Sequence, residues 1–164
     1  MALADLMDWL GWRMDEKALR AALGRVRWPG RMETVADDPE TILDCAHNPD
    51  GLRSLARTQR GRRFDVVFGA MADKPVASML SIIDPIIDRL WVTAPDVPRA
   101  LRPADYPASV EAARVDDVAE AVDRARADAR RRGLPVLITG SIFTISVARA
   151  HVLGIRRLDP VITS

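Results

Sequence analysis

The chain has 164 residues, of which 48% are hydrophobic and 5% aromatic, and 24 Lys and Arg against 23 Asp and Glu leave a formal net charge of +1. This length fits one compact domain with an aliphatic core, and the balanced charge lacks the overall field that attracts nucleic acid or an anionic membrane. The single cysteine, Cys45, excludes an internal disulfide framework and a cysteine-based zinc site, and no apolar run approaches the ~18 residues that a membrane helix needs. We therefore expect a cytoplasmic protein that binds neither nucleic acid nor membrane.

The first part of the chain is predicted to be an approach to the main fold. Apolar residues recur at three- and four-residue steps over 3–10 and 15–24, which predicts two short helices. Gly24 is suited to end the second helix. Pro29-Gly30 then marks a turn that leads into a short strand from Met32 to Val35.

From residue 41 onward, apolar runs alternate with amphipathic segments. The runs predict strands over 41–44, 64–70, 89–94, 110–115 and 135–140, and the segments predict helices over 49–59, 75–87, 116–132 and 141–152. The strand runs are continuously apolar, as is typical of strands buried on both faces. The expected fold is therefore α/β, with a Rossmann-like, mostly parallel sheet and helices on both faces.

The helix over 116–132 has the clearest pattern. Its apolar positions form one stripe, made of Val118, Ala121, Val122, Ala125 and Ala129. Asp117 with Glu120 resembles a capping box, and Gly133 is placed to stop the helix. This helix is predicted to cover the sheet with the stripe facing inward.

Reactive side chains crowd the end of the strand over 41–44, in the stretch "LDCAHNPDGL". Asn48 is suited to cap the following helix, with Pro49 in its first turn. Asp44, His47 and Asn48 would then surround a helix N-terminus, which favours anions such as phosphate, while the Asp44 carboxylate could accept from a ribose hydroxyl or bind a cation. The alternative is structural: Asn48 only caps, Asp44 accepts backbone N–H groups, and His47 is a satisfied loop residue.

Three other positions are candidates for the same edge of the sheet. Arg31 follows a Pro-Gly turn, which suits bidentate contact with phosphate or carboxylate; otherwise it is a surface ion-pair partner. Lys74, next to Asp73, follows a strand end and could meet an anion, or belong to a polar loop. Ser141 caps the last helix and presents its hydroxyl to the edge, or does nothing beyond capping.

Several common motifs are absent from the sequence. It contains no Gly-x-Ser-x-Gly nucleophile elbow, no Gly-x-Gly-x-x-Gly fingerprint and no Gly-x-x-x-x-Gly-Lys-Ser/Thr loop. Cys45 is interpreted as a small, buried or half-buried filler, and His151 as structural. No stretch of this chain would cradle a triphosphate by itself.

Five segments in this order resemble the C-terminal domain of the folylpolyglutamate synthase/dihydrofolate synthase family, within the Mur ligase superfamily. They are "RWPGRME", "ILDCAHNPDGL", "FGAMADKPVASML", "PRALRPADY" and "LITGSIFTISVAR". The resemblance covers nearly the whole chain and implies two parts. Residues 1–27 would be a helical linker and the tail of an N-terminal ATPase domain, and residues 28–164 a C-terminal domain of the Mur ligase type.

The resemblance implies an ATP-dependent amide ligase that joins L-glutamate to dihydropteroate or to a folate. Carried over by motif, Arg31 and Asp44 would contact ATP, with Asn48 beside them. His47 would act near the phosphates or the incoming glutamate. Ser141 and Lys74 would lie on the glutamate side, and Mg²⁺ would be held mainly by the ATPase domain.

Two departures from the family pattern affect these expectations. Cys45 stands where a glycine or another small residue is usual, which would be strained if that position required a positive φ. The phosphate-loop domain is missing, so we expect this chain to be inactive unless an ATPase domain is supplied in cis or in trans. The alternatives are a stand-alone module that binds a nucleotide or an amino acid, and a Mur-type ligase with another substrate.

Overall fold

The computed structural model of the protein describes residues 9–11, 15–26 and 28–155, so most of the helix predicted over 3–10 and the end of the predicted second domain lie outside the described residues. The helices are α1 (Glu16–Arg25), α2 (Pro49–Thr58), α3 (Val76–Ile83), α4 (Val118–Arg132) and α5 (Ile142–Val152). The strands are β1 (Glu33–Asp37), β2 (Glu40–Leu43), β3 (Phe64–Phe68), β4 (Ile87–Val92), β5 (Ala113–Arg114) and β6 (Val136–Thr139).

The six strands form one sheet in the order β1-β2-β6-β3-β4-β5. Only β1 runs antiparallel to its neighbour β2, and the other four pairings are parallel. Every residue of β3 and β6 is buried, as their continuous apolar runs predict. The predicted α/β fold with a Rossmann-like, mostly parallel sheet is confirmed.

The two faces of the sheet carry separate hydrophobic cores. Side chains of α2 and α3 pack against one face, and side chains of α4 and α5 pack against the other. The predicted stripe of α4 is fully buried in the second core. At its ends, the Asp117 carboxylate accepts from the Glu120 backbone N–H at 2.8 Å and Gly133 adopts a left-handed φ of 67°, both as predicted. None of the described helices is both long and apolar enough to span a membrane.

Two predicted elements differ in the structure. The helix predicted over 75–87 ends at Ile83 and continues as a 3₁₀ turn over Asp84–Ile86, because Pro85 has no N–H and cannot continue an α-helix. The strand predicted over 110–115 is reduced to β5. The Arg114 guanidinium donates to the carbonyls of Pro103, Tyr106 and Pro107 and so ties β5 to the segment over 103–107.

A charged cluster lies at the amino ends of β3 and β4. β3 is an inner strand of the sheet, and near its amino end the Asp65 carboxylate is fully buried and pairs with Arg132 at the end of α4. Arg132 also contacts Asp88, and its guanidinium is 3.2 Å from the Asp128 carboxylate. Burial raises the pKa of the Asp65 carboxyl above its ordinary value, although the hydrogen bond from Arg132 opposes this. The cluster thus ties α4 to the sheet at the cost of a buried charge.

Candidate functional site

The carboxyl ends of β2, β6 and β3 meet along one edge, which we call the rim: residues 44–48, 140–141 and 69–74. Backbone hydrogen bonds join the three loops, from Gly140 N to Ala46 O at 3.0 Å and from Gly69 N to Thr139 O at 3.2 Å. Loops beyond the carboxyl ends of parallel strands are where α/β folds bind ligands. The rim is therefore the part of the fold in which a site is expected.

A cavity of about 400 Å³ opens at the rim, within the size range of small-molecule sites. We call it the rim cavity. It is lined by Arg31 and Met32, by residues 44–48, and by side chains of α2. A larger groove of about 890 Å³ runs beside β4, but none of the six candidate residues lines it. Of those six, Arg31, Asp44, His47 and Asn48 are brought together in the rim cavity.

Asp44 holds the turn that carries Arg31. Its carboxylate accepts from the Met32 backbone N–H at 3.1 Å and from the Ala46 N–H at 3.0 Å. This is the structural role that the sequence left open for Asp44. Because each carboxylate oxygen can accept more than one hydrogen bond, the contacts leave capacity for a ligand. The Arg31 guanidinium lies 6.0 Å from the centre of the Trp28 ring, within range of a cation–π contact.

Asn48 and His47 occupy the mouth of α2. The Asn48 side chain accepts from the Gly51 N–H at 2.8 Å, so the predicted N-cap is confirmed. His47 Nδ1 is 2.9 Å from the Cys45 carbonyl oxygen. A carbonyl can only accept, so Nδ1 carries the proton and Nε2 is left to bind a ligand. Asp50, which the sequence analysis did not single out, also lines the rim cavity and would oppose an anion there.

Ser141 and Lys74 lie on the neighbouring strand ends, outside the rim cavity. Ser141 is 2% exposed, and its hydroxyl accepts from the Phe143 N–H at 3.1 Å, which confirms it as the cap of α5. The Lys74 ammonium is 3.1 Å from the Asp73 carboxylate, and its hydrogen bond lowers the pKa of Asp73. Their predicted contacts with substrate stay predictions.

Cys45 and His151 have the structural surroundings predicted for them. Cys45 is half-buried and packs against the core formed with α4 and α5. Met32, with φ of 46°, is the only non-glycine residue at positive φ in the described part of the chain, so Cys45 carries no backbone strain of that kind. His151 Nε2 lies 2.8 Å from the Asp123 carboxylate and joins α5 to α4.

Two further residues support the site, and the sequence analysis missed both. Glu33 in β1 accepts from the Gly30 N–H, and Arg149 in α5 donates to Glu33. They are 116 positions apart, so no local pattern pairs them. Within the described ranges, no group of three or more His, Cys, Asp or Glu side chains is arranged to hold a metal ion.

The fold and the rim together define a class: a doubly covered, mostly parallel α/β domain with a polar cavity at the carboxyl ends of its strands. Residues 30–142 match the family model described as "Mur ligase, glutamate ligase domain". That match covers more than half of the chain. The chain therefore belongs to the family of Mur ligase glutamate ligase domains.

Relatives agree with this assignment. The dihydrofolate synthase/folylpolyglutamate synthase of Bacillus subtilis is 35% identical over 146 residues, which cover 83% of this chain and 33% of the relative. The Mycobacterium tuberculosis folylpolyglutamate synthase, in crystals with ADP and AMPPCP, has a TM-score of 0.77 and 28% identity over 96% of this chain and 39% of its own.

A bifunctional folylpolyglutamate synthase/dihydrofolate synthase crystallised with Mn, AMPPNP and L-glutamate is also similar. Its TM-score is 0.70 at 28% identity, and the match covers 84% of this chain and 34% of the other. The chain spans about a third of the length of the folylpolyglutamate synthases that it matches. It corresponds to the C-terminal domain of such a ligase.

Proposed function

We propose that this chain contributes the ATP- and glutamate-contacting half of an active site that adds L-glutamate to dihydropteroate or to a folate. The observation that carries the proposal is the convergence of Arg31, Asp44, His47 and Asn48 on the rim cavity. The similar enzymes bind ADP or ATP analogues, and one binds L-glutamate with Mn. These ligands are what a helix N-terminus with an arginine and a carboxylate beside it is suited to receive.

The chemistry requires activation of a carboxylate, because a carboxylate ion resists attack by an amine. ATP phosphorylates the acceptor's carboxylate and gives an acyl phosphate and ADP. The amino group of glutamate then attacks the acyl carbon, loses a proton and displaces inorganic phosphate. Mg²⁺, held mainly by the ATPase domain, would supply charge neutralisation at the phosphates.

The residues of this chain have distinct parts in that reaction. The Arg31 guanidinium neutralises phosphate charge, and the Asp44 carboxylate accepts from a ribose hydroxyl. His47 Nε2 lies with Asn48 at the helix mouth and acts near the phosphates or the incoming glutamate. Ser141 and Lys74, on the neighbouring strand ends, contact the glutamate.

The ATPase domain completes the site, in cis or in trans. The sequence has no phosphate loop of its own, so the triphosphate needs a second domain. Helix α1 buries none of its residues within the described part of the chain, as expected of a segment that packs on a preceding domain. Without that domain, this chain binds weakly at best and forms no product.

The test is complementation. The ATPase domain of the Bacillus subtilis relative is fused to the amino end of this chain, and ADP release and product are measured with ATP, L-glutamate and either dihydropteroate or a folate. Arg31→Ala should raise KM for ATP roughly tenfold or more, because a charge-assisted hydrogen bond is lost. His47→Ala should lower kcat more than it raises KM. Arg60, an exposed arginine that does not line the rim cavity, gives the matched control, Arg60→Ala.

Three outcomes distinguish the candidates. Product formation that depends on ATP and glutamate and falls in the Arg31 and His47 variants supports the proposal. Saturable nucleotide or amino-acid binding with no product from an intact fusion indicates the stand-alone binding module. Product with another amino acid or acceptor only would indicate a different Mur-type ligase.

A further inference from the structure

The backbone on both sides of Arg31 is held by carboxylates. The Gly30 N–H donates to Glu33 Oε2 at 2.7 Å, and the Met32 N–H donates to Asp44 Oδ2 at 3.1 Å. The Gly30 carbonyl in turn accepts from the Cys45 N–H at 2.7 Å. The residue between the two tethered N–H groups is Arg31, which lines the rim cavity. Its position therefore depends on Glu33 as well as on Asp44.

Glu33 is itself held by the last helix. Arg149 Nε lies 3.0 Å from both carboxylate oxygens of Glu33. The side chains of Glu33 and Arg149 are 22% and 31% exposed, so the pair is largely shielded from solvent. Burial alone would raise the pKa of Glu33, but the hydrogen bonds from Arg149 and from the Gly30 N–H outweigh it and lower that pKa. Glu33 thus stays charged at neutral pH.

One face of α5 supports the turn at two points. Ser141, Ile145 and Arg149 are spaced by four positions and lie along the same side of the helix. Ile145 packs against Gly30, where an added Cβ would lie 3.1 Å from the Ile145 Cγ2 atom. Helix α5 begins at the rim with Ser141. Through Ile145 and Arg149, the same helix therefore also supports the turn that carries Arg31.

We propose that Glu33 and Arg149 are positioning residues for nucleotide binding: by holding the Gly30 N–H, they keep the turn that carries Arg31 in place beside the rim cavity. This inference rests on the proposed function, in which Arg31 contacts ATP. The competing role is purely structural, an ion pair that fastens β1 to α5 and affects stability alone. The two roles predict different results for a variant that keeps an ion pair between β1 and α5 but has no acceptor for the Gly30 N–H. A purely structural role predicts unchanged nucleotide binding, and a positioning role predicts weaker binding.

A charge swap makes that separation. Glu33→Arg combined with Arg149→Glu retains opposite charges between β1 and α5, but arginine has no acceptor for the Gly30 N–H. Arg149→Met removes the pair and leaves Glu33 without its partner. Asp123→Ala is the control. It breaks the contact of His151 with Asp123, which joins α5 to α4 instead of β1 and lies outside the rim cavity.

Four quantities are measured for each variant. Amide hydrogen exchange of Gly30 and the urea midpoint of unfolding are measured on this full chain. The Kd for MgADP and the KM for ATP are measured on the fusion with the ATPase domain. Loss of groups that orient a contact residue costs roughly 10–100-fold in affinity at metal sites, and we expect the low end of that range here.

The swap should regain stability relative to Arg149→Met, while Gly30 exchanges faster and MgADP binds about tenfold more weakly than in the unchanged protein. Arg149→Met should show the same weakening with kcat little changed, and Asp123→Ala should leave the Kd for MgADP unchanged. A swap that restores affinity together with stability would overturn the inference. If Arg31→Ala weakens MgADP binding and Arg149→Met does not, the positioning role is wrong but the proposed function stands. If neither variant weakens MgADP binding, both the positioning role and the proposed function are wrong.

Discussion

Gly140 has both a positive φ and no space for a Cβ atom. It has φ of 103° between β6 and α5, a conformation that residues with a side chain rarely adopt. A Cβ there would lie 2.7 Å from the Gly69 carbonyl oxygen and 2.9 Å from Phe68 Cε2. The first atom is main chain and the second belongs to a fully buried ring, so neither can move aside at low cost.

Gly140→Ala should therefore destabilise the chain through two separate terms. The backbone conformation costs about 1–3 kcal/mol for a residue with a Cβ. Forcing a methyl group into filled space costs about 1–3 kcal/mol more, so the expected loss is about 2–6 kcal/mol. Gly133→Ala is the matched control, because Gly133 also has positive φ, 67°, but apart from its chain neighbours no atom lies within 4 Å of its added Cβ. Only the conformational term applies there, about 1–2 kcal/mol.

The assay is urea unfolding of the two variants and the unchanged chain, with the free energy of unfolding taken from the linear dependence on denaturant. The difference between the variants contains the steric term and the difference in backbone cost between φ of 103° and φ of 67°. Equal losses in Gly140→Ala and Gly133→Ala would contradict the prediction, since they would mean that the ends of β3 and β6 separate freely. In that case the rim would not be a rigid frame for the site.

Two further predictions concern the charged cluster and the mouth of α2. Arg132→Met should cost about 3–5 kcal/mol in the free energy of unfolding at neutral pH, because it strips the partner from a buried carboxylate. The pKa of Asp65, already raised by burial, should rise further in this variant. The variant's loss of stability relative to the unchanged chain should therefore grow as pH increases from the pKa of Asp65 in the unfolded chain to its pKa in the folded chain. Asn48→Ala should lower the free energy of unfolding by about 1 kcal/mol through the lost N-cap and should also raise the KM for ATP in the fusion. Asp117→Ala, at the N-cap of α4, should lower the free energy of unfolding by a similar amount and leave the KM for ATP unchanged.

Each of these has an outcome that contradicts it. An Arg132→Met variant whose loss of stability is the same from pH 4 to pH 7, within error, would mean that Asp65 is not left as a buried charge. For the caps, equal effects of Asn48→Ala and Asp117→Ala on KM for ATP would mean that the mouth of α2 has no special place in the site. The unfolding measurements and the kinetics are independent readouts in both experiments.

The elements of this fold were predictable because their signals are local. The continuous apolar runs of β3 and β6, the stripe of α4 and the caps at Asn48 and Asp117 depend on residues within a few positions of one another. One error has a local cause, since Pro85 ends α3 early. The strand predicted over 110–115 is shortened to β5, and there Arg114 binds carbonyls 8 and 11 positions earlier in the chain.

Local patterns in the amino-acid sequence were enough to predict the type, order and caps of most elements, and they singled out Arg31, Asp44, His47 and Asn48 as candidate binding residues at strand and turn ends. That these four line one cavity, while Ser141 and Lys74 lie outside it on the neighbouring strand ends, depends on how the chain packs. The physical reason is distance along the chain. Periodicity and capping act over one or two turns, whereas the contact of Arg149 with Glu33 exists only after β1 and α5 have packed together.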